Sequence, residues 1–181
     1  MSSDLRETLL KLAAPAVGLV LVLIVARARG LSFRDDLGLA TPPPKRLALW
    51  LGVFAVVILA TEVIGRWLGL PAPSRWELPL AIALLRAFGI VVLAPLGEEL
   101  IFRGALFSVL KKTRLGAAGA ILIPAVFFAA IHTQYGLSEV ALIFLDGALF
   151  GLARYHSGSV LVPVLMHAMG NLYAAIERMP A

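Results

Sequence analysis

The sequence contains no cysteine. Disulfides, thiolate catalysis and cysteine-ligated metals are therefore excluded, although this absence fixes no cellular compartment. Charged residues are also scarce, because they make up 15% of the chain against roughly 25% in a typical soluble protein. Neither the Gly-x-Ser-x-Gly elbow of serine hydrolases nor the His-Glu-x-x-His motif of zinc proteases is present.

Apolar residues, in contrast, dominate the chain. Hydrophobic side chains make up 60% of its 181 residues, and its mean hydropathy is +0.93. A water-soluble fold cannot easily bury this much apolar chain, and the length suits one structural unit. Most Lys and Arg residues stand between apolar runs, which is typical of membrane orientation and of contact with anionic lipid. We therefore expect the lipid bilayer as a partner and no nucleic acid.

Five segments are predicted to be membrane helices. A helix needs about 20 mostly apolar residues to cross about 30 Å of hydrocarbon. The segments that meet this test are Leu9–Ala26, Leu47–Gly65, Gly116–Ile131, Leu137–Tyr155 and Ser159–Ile176. The first is followed by Arg27 and Arg29 without a small-residue cleavage site, which favours a retained helix over a signal peptide.

The region from Leu78 to Leu110 is longer than one crossing requires. Pro95 lies in its middle, so we expect a break there, with one helix at Leu78–Ala94 and a second at Leu96–Leu110. Breaks at membrane depth are tolerated where they face protein or a wet cavity, so this one points toward a site. The predicted fold is all-α, a polytopic transmembrane helical bundle of about six to seven membrane helices, broken or re-entrant near Pro95.

The chain is expected to be a multi-pass integral membrane protein of the bacterial plasma membrane, since its composition is rich in Ala, Leu, Val and Arg. Within one structural unit, residues 1–77 form N-terminal membrane helices of unassigned role and residues 78–181 form the core that carries the chemistry. Cytoplasmic loops collect Lys and Arg. The densest basic groups, which we expect on the cytoplasmic side, are Arg27, Arg29, Arg34, Lys45 and Arg46, then Lys111, Lys112 and Arg114.

Ionisable residues within membrane helices identify the candidate site, because each costs roughly 2.5 to 3.5 kcal/mol on insertion scales. Three patterns contain them. They are Gly97-Glu98-Glu99-Leu100-Ile101-Phe102-Arg103-Gly104, Phe128-Ala129-Ala130-Ile131-His132 and His167-Ala168-Met169-Gly170-Asn171. Arg86 and Asp146 also lie in apolar runs, and we expect each to pair with another buried charge.

The two adjacent glutamates have different expected roles. Glu99 and Arg103 are four residues apart on one helix face and can pair. Glu98 points about 100° away without a local cation, and an unpaired carboxylate in a poorly hydrated place suits a general base. The alternative is that both acids only stabilise the start of a half-helix, where negative charge is favoured.

The imidazole and amide groups each have a plain alternative as well. His132 lies at the end of a predicted apolar helix, and its plain alternative is a residue at the membrane interface. His167 and Asn171 are one turn apart and must face the bundle, where an interhelical hydrogen bond would explain them. Taken together with the glutamates, however, they supply a base, proton-carrying imidazoles and an amide donor. This set suits the addition of activated water to an amide carbonyl.

The three patterns match, in order and spacing, the Glu-Glu-x-x-x-Arg, Phe-x-x-x-His and His-x-x-x-Asn/Asp motifs of one family. The chain resembles the CAAX protease and bacteriocin-processing family, which includes the eukaryotic type II CAAX prenyl endopeptidases. Gly147, Gly151 and the run 158–163 before His167 are also similar to that family. The resemblance covers roughly Leu84 to Ala175.

The resemblance implies an intramembrane endopeptidase with a membrane-associated peptide or protein as substrate. In that family's terms Glu98 would activate water with help from His132, and His167 with Asn171 would bind the water or the oxyanion. Glu99 and Arg103 would order the site.

These motifs point to no definite cofactor. If a metal is present, Glu98, His132 and His167 could ligate Zn²⁺, although we expect a metal-free glutamate mechanism. The main alternative function is a non-catalytic membrane scaffold or bacteriocin-immunity or regulatory protein whose motifs brace the bundle. A proton-coupled transporter is a third hypothesis, which the lack of an inverted repeat disfavours.

Overall fold

The computed structural model describes residues 2–180, and this part of the chain is all-helical with no strand. Its six helices are α1 (Ser3–Ala28), α2 (Pro44–Trp67), α3 (Leu80–Lys111), α4 (Gly116–Ala130), α5 (Leu137–Ser157) and α6 (Leu161–Arg178). The all-α prediction is confirmed. Three helices, α1 to α3, are long and apolar enough to cross a membrane by length and composition, so the count is lower than the predicted six to seven.

The helix ends follow local chemistry. Proline stands at the start of α2, where its missing N–H costs nothing, and Pro79 precedes α3. Gly158 ends α5 in the left-handed region, with φ of +75°, a conformation that glycine adopts without strain. The five helices other than α3 begin and end within a few residues of the five predicted apolar segments, except that α1 begins six residues earlier.

Helix α3 corrects the predicted break at Pro95. The chain stays helical for 32 residues, from Leu80 to Lys111, instead of forming two helices. Two wider π-helical turns, Gly89–Leu93 and Leu100–Leu106, lie on either side of Pro95. A proline clashes with the carbonyl four residues earlier, which here is that of Val91 in the first π turn. The wider turn accommodates the proline, so α3 has irregular turns and no interruption.

Helix α1 packs closely along α3 because glycines line the contact. A Cβ added at Gly97 would lie 2.6 Å from the carbonyl oxygen of Pro15, and one added at Gly89 would lie 2.9 Å from Leu12. Small residues allow helix backbones to approach in this way within membranes. Helix α1 therefore supports the part of α3 that carries the glutamates.

The six helices alternate in direction, which gives the bundle two distinct ends. At one end Lys112 binds Asp36 at 2.7 Å, and the backbone N–H of Val160 donates to the carbonyl of Gly38. We call this the Asp36 end; it contains the connections 29–43, 112–115 and 158–160. At the other end the N–H of Trp76 donates to the carbonyl of Arg178. This Arg178 end contains 68–79, the turn 131–136 and the end of α6.

The Asp36 end is closed by packing. Its buried apolar cluster consists of Val22, Ala26, Leu37, Leu100 and Val160. Arg154 is buried there as well, where its Nε donates to the carbonyl of Arg103 at 3.0 Å. Gly38, at φ of +73°, lies directly against the Arg154 guanidinium, leaving no room for a side chain. Toward the Arg178 end, a cavity lies between α2, α4, α5 and α6.

Candidate active site

The centre of the bundle holds a buried ion pair. Nη1 of Arg103 donates to Oε1 of Glu99 at 2.9 Å, and both residues have 0% exposure. Their spacing of four residues on α3 predicted this pair. A buried charge is tolerated when it is paired and hydrogen-bonded, so each residue depends on the other.

Arg103 also joins α3 to α5. Its Nη2 donates to the carbonyl of Gly147 at 2.8 Å, and its guanidinium lies over the rings of Phe128 and Phe150, at 4.7 and 5.5 Å from their centroids. A Cβ at Gly147 would lie 3.0 Å from Arg103, so a glycine there gives the guanidinium its room. Cation–π contact and hydrogen bonds together replace the lost hydration.

His167 of α6 binds the same carboxylate. Its Nδ1 lies 2.9 Å from Oε1 of Glu99, which places the proton on Nδ1 when Glu99 is ionised and His167 is neutral. The imidazole stacks on Phe150, at 5.6 Å between centroids, and meets Phe128 edge-on at the same distance. Glu99 and the two rings therefore fix the orientation of this histidine, so that Nε2 turns away from the pair.

Glu98 stands in a different environment from its neighbour. Its side chain is 25% exposed, and Oε2 lies 3.9 Å from Nε2 of His167. This separation is too long for a direct hydrogen bond, but one water molecule can hydrogen-bond to both atoms across it. No Lys or Arg within the described chain forms an ion pair with Glu98. The prediction that one glutamate is paired with a local cation and the other is not is confirmed.

His132 lies just beyond the end of α4 and next to the same aromatic ring. Its Nδ1 is 2.6 Å from the carbonyl of Phe128, and its ring centroid is 4.8 Å from that of Phe128. Because Nδ1 donates to the carbonyl, the neutral tautomer leaves Nε2 as an acceptor. Phe128 therefore contacts both His132 and His167.

Asn171 supports the irregular part of α3. Its Nδ2 donates to the carbonyl of Ile90 at 2.6 Å, and Ile90 belongs to the first π turn. Neighbouring helices often satisfy the backbone groups that such turns release within membranes. One N–H of Asn171 is thus engaged in holding α3, whereas the oxyanion role implied by the resemblance requires the other.

A cavity of about 440 Å³ adjoins the imidazole and amide side chains of the site and continues toward the Arg178 end. His132, His167 and Asn171 line its inner part. One wall is the apolar face of α2, with Phe54, Val57 and Ile58. The polar residues farther out are Thr61, Glu62, Tyr135, Glu139, Tyr173 and Arg178. The volume is in the range of ligand pockets.

Two residues differ from the sequence prediction that they pair with another buried charge. Arg86 donates to Oγ1 of the buried Thr8 at 3.0 and 3.1 Å and lies 3.5 Å from Glu7, whose side chain is 55% exposed. Asp146 has no ion-pair partner among residues 2–180 and lines the cavity. A charged residue in an apolar run identified Asp146 in the sequence, but no local sequence pattern predicted that it lines the cavity.

The geometry does not form a metal centre. Within the part of the chain that the structure describes, no three His, Asp or Glu side chains are grouped to hold a metal ion. The zinc ligands considered from sequence, Glu98, His132 and His167, therefore do not fit a preassembled site with the roughly 2.0 to 2.2 Å bonds of zinc.

The fold and the site define a class: a helical membrane protein in which imidazole and amide groups line a cavity inside the bundle and a pair of glutamates lies next to one of the imidazoles. A family model described as type II CAAX prenyl endopeptidase Rce1-like matches residues 79–173. The chain belongs to this Rce1-like family, which confirms the resemblance seen in the three motifs. Membership in this family, together with three long apolar helices, indicates an integral membrane protein.

A relative from Escherichia coli, the "Uncharacterized 24.3 kDa protein", is 38% identical over 130 residues. The match covers 65% of this chain and 58% of that relative. The chain therefore spans less than two thirds of the relative's length. No solved structure matches the chain.

Proposed function

We propose that this protein is an intramembrane endopeptidase, in the plasma membrane of a bacterium, that hydrolyses a peptide bond of a membrane-associated protein or peptide. The observation that carries the proposal is the contrast between adjacent glutamates. Glu99 is fully buried and hydrogen-bonded to both Arg103 and His167. Glu98 is partly exposed, and its Oε2 lies 3.9 Å from Nε2 of His167.

The first step is the activation of water. A water between Glu98 and His167 can donate one hydrogen to the Glu98 carboxylate and the other to Nε2 of His167, which its Nδ1–Glu99 bond leaves as an acceptor. His132 offers a second acceptor at Nε2 and helps to hold this water. As the water oxygen attacks the carbonyl carbon, its proton passes to Glu98.

The second step is collapse of the tetrahedral intermediate. The remaining N–H of Asn171 is the donor available for the oxyanion, since its partner N–H binds the carbonyl of Ile90. The carbon–nitrogen bond then breaks, and Glu98 returns its proton to the leaving amine. Glu98 thus acts as base and then as acid, and the balance needs no covalent intermediate and no cofactor.

The scaffold alternative explains less of the structure. Bracing accounts for Glu99, Arg103 and the bond from Asn171 to Ile90. It gives no reason for a second carboxylate, Glu98, beside a histidine that lines the cavity, because an unpaired intramembrane charge is costly. The geometry therefore favours catalysis over bracing.

The test compares two glutamate variants in proteoliposomes. Glu98→Gln keeps the size of the side chain and removes its basicity, and Glu77→Gln makes the same change at an exposed position before α3. The probe is a library of internally quenched peptides with an apolar terminal segment, with products identified by mass spectrometry. We expect Glu98→Gln to abolish cleavage without lowering the Tm and Glu77→Gln to retain it. Full activity of Glu98→Gln would overturn the assignment.

A further inference from the structure

Asp146 is a charged residue of the cavity wall, and the proposed reaction gives it no role. It lies half-buried on α5, and its carboxylate forms no ion pair with any residue from 2 to 180. The polar side chains of the inner cavity already have hydrogen-bond partners on other residues: His167 on Glu99, His132 on Phe128 and Asn171 on Ile90. The structure therefore contains a carboxylate at the cavity whose charge is not used within the chain.

Helix geometry places Asp146 one turn from the reacting groups. The ring of Phe150 stacks on His167, and Asp146 precedes Phe150 by four residues, which is about 6 Å along α5. Asn171 follows His167 by the same number of residues on α6, which runs in the opposite direction. Asp146 therefore lies at about the level of Asn171, on the side of His167 that is nearer to the Arg178 end.

No cation of the described cavity wall lies at this level. Arg178 is the only Lys or Arg among the described residues that line the cavity, and it is two turns beyond Asn171 on α6, about 10 Å farther out. The buried Arg103 is paired with Glu99 and not with Asp146. An unpaired carboxylate within a membrane is costly, and opposite charges attract strongly where the dielectric constant is low. A ligand that brings a positive charge to Asp146 would therefore bind favourably.

The α2 wall of the cavity suits the aliphatic part of a basic side chain. Phe54 meets Phe150 edge-on. Val57 and Ile58, which lie one turn nearer to the Arg178 end, therefore line the cavity at about the level of Asp146. Lys and Arg side chains bury their apolar stems while the charged head reaches a polar partner. Such a side chain can lay its stem along α2 and place its head at Asp146.

We infer that Asp146 is a specificity-determining residue that binds the positive charge of a Lys or Arg side chain of the substrate. This inference rests on the proposed function and names its substrate class, an apolar peptide segment with a basic residue beside the cleaved bond. The levels of Asp146 and His167 are about 6 Å apart and an extended residue spans about 3.3 Å, so the basic residue lies within about two residues of that bond. Asp146 takes no part in the proton transfers of Glu98.

The first test measures substrate preference in proteoliposomes. Matched peptides of Ala and Leu carry one central residue, which is either lysine or its uncharged analogue norleucine. Asp146→Asn keeps the size of the side chain and removes its charge, and Glu77→Gln removes a charge at an exposed position outside the cavity. We expect the wild type and Glu77→Gln to cleave the lysine peptide with a kcat/KM at least about tenfold above that of its twin, and Asp146→Asn to lower this ratio to about one.

Mass spectrometry of the products should locate the cut within about two residues of the lysine. Asp146→Glu restores a carboxylate and should retain a preference for lysine, because the charge and not the exact length of the side chain attracts the ligand. A purely structural role would lower the Tm of Asp146→Asn without changing the ratio of the two kcat/KM values. An unchanged ratio in Asp146→Asn, or equal cleavage of the two peptides by the wild type, would overturn the inference.

A binding measurement separates this inference from the catalytic one. The inactive variant Glu98→Gln, in nanodiscs, is titrated against the same two peptides carrying a fluorescent label, and anisotropy gives each Kd. We expect the lysine peptide to bind at least about tenfold more tightly than its twin, and addition of Asp146→Asn to remove the difference. That result would support the role of Asp146 even if the wild type cleaved neither peptide. Equal Kd values in Glu98→Gln, or no binding of either peptide, would contradict it even if Glu98→Gln abolishes cleavage.

Discussion

Helices α1 and α2 both precede the region matched by the family model, yet they relate to the site differently. Helix α1 packs along the back of α3, with Pro15 against Gly97 and Thr8 bound by Arg86, and none of its residues lines the cavity. Helix α2 has a single buried residue, Phe54, and supplies one wall of the cavity. The comparison indicates that α1 braces the helix that carries the glutamates, whereas α2 shapes the cavity in which we propose that substrate binds.

The attachment of α2 is concentrated near the Asp36 end. Arg46 donates to the carbonyl of His156 at 2.7 Å, Trp50 stacks on the His156 ring, and Phe54 meets Phe150 edge-on at 5.1 Å. Toward the Arg178 end α2 borders the cavity instead of a packed neighbour. Substitutions in α1 should therefore mainly lower the stability of the fold, and substitutions in the outer half of α2 should mainly change which peptides are cleaved.

The largest effect is expected for Gly97→Val. Its Cβ alone would lie 2.6 Å from the Pro15 carbonyl oxygen, and a backbone atom cannot rotate away. We expect a loss of about 3 kcal/mol or more in the free energy of unfolding, at the upper end of overpacking costs. Activity should fall too, because Glu98 is the next residue. Unfolding in detergent, followed by tryptophan fluorescence, measures the change.

Gly52→Val in α2 is the matched control. A Cβ at Gly52 meets nothing within 4 Å, and valine is at least as good a helix former as glycine. This variant should be as stable as the wild type or slightly more so. Equal destabilisation of the two variants would mean that α1 has no special role as a brace.

Truncation of the one buried residue of α2 should have the next largest effect. Phe54 is 3% exposed and contacts Phe150, but one side of its ring borders the cavity. Phe54→Ala should therefore lower the free energy of unfolding by about 2 kcal/mol, which is less than the usual loss for truncating a core phenylalanine. It should also enlarge the cavity and admit bulkier peptides.

Phe127→Ala provides the comparison for that variant, since Phe127 is 56% exposed on α4 and does not line the cavity. Its Tm and peptide preference should stay near those of the wild type. If Phe54→Ala shifts the Tm without changing which peptides are cleaved, α2 is only a structural helix and the distinction from α1 fails.

A smaller effect on stability, with a clear effect on activity, is expected in the outer half of α2. Ile58 lines the cavity, whereas its neighbour Leu59 is 63% exposed. Ile58→Trp should narrow the cavity and lower kcat/KM several-fold for bulky peptides, with a change in unfolding free energy below about 1 kcal/mol. Leu59→Trp should leave both quantities unchanged. Identical kinetics for the two variants would show that α2 does not contact substrate.

The sequence predicted most of this architecture, because apolar length and helix periodicity are local properties. The pairing of Glu99 with Arg103 followed from a spacing of four residues. The continuity of α3 did not follow, since the relief of Pro95 depends on π turns that no spacing rule announces. The role of α2 in the cavity and the bond from Asn171 to Ile90 depend on which helices become neighbours. These contacts are set by the whole bundle and are invisible in any short segment.

The smallest effect is expected in the connection between α1 and α2, outside the membrane-spanning helices. The ammonium of Lys112, hydrogen-bonded at 2.7 Å, and then the backbone N–H of Ser32 hold the pKa of Asp36 below its usual range. A carboxyl with a lowered pKa stabilises the folded state above its unfolded pKa, and this contribution is lost as pH falls through the folded value. Lys112→Met should raise the pKa of Asp36 only part of the way, because the Ser32 bond remains. It should hardly change the Tm, since exposed ion pairs contribute little. Carboxyl NMR titration measures the shift.

Lys111→Met is the control, because Lys111 lies over the Tyr155 ring and not at Asp36. Equal pKa values of Asp36 in the two variants would show that Lys112 does not tie this connection to the end of α3.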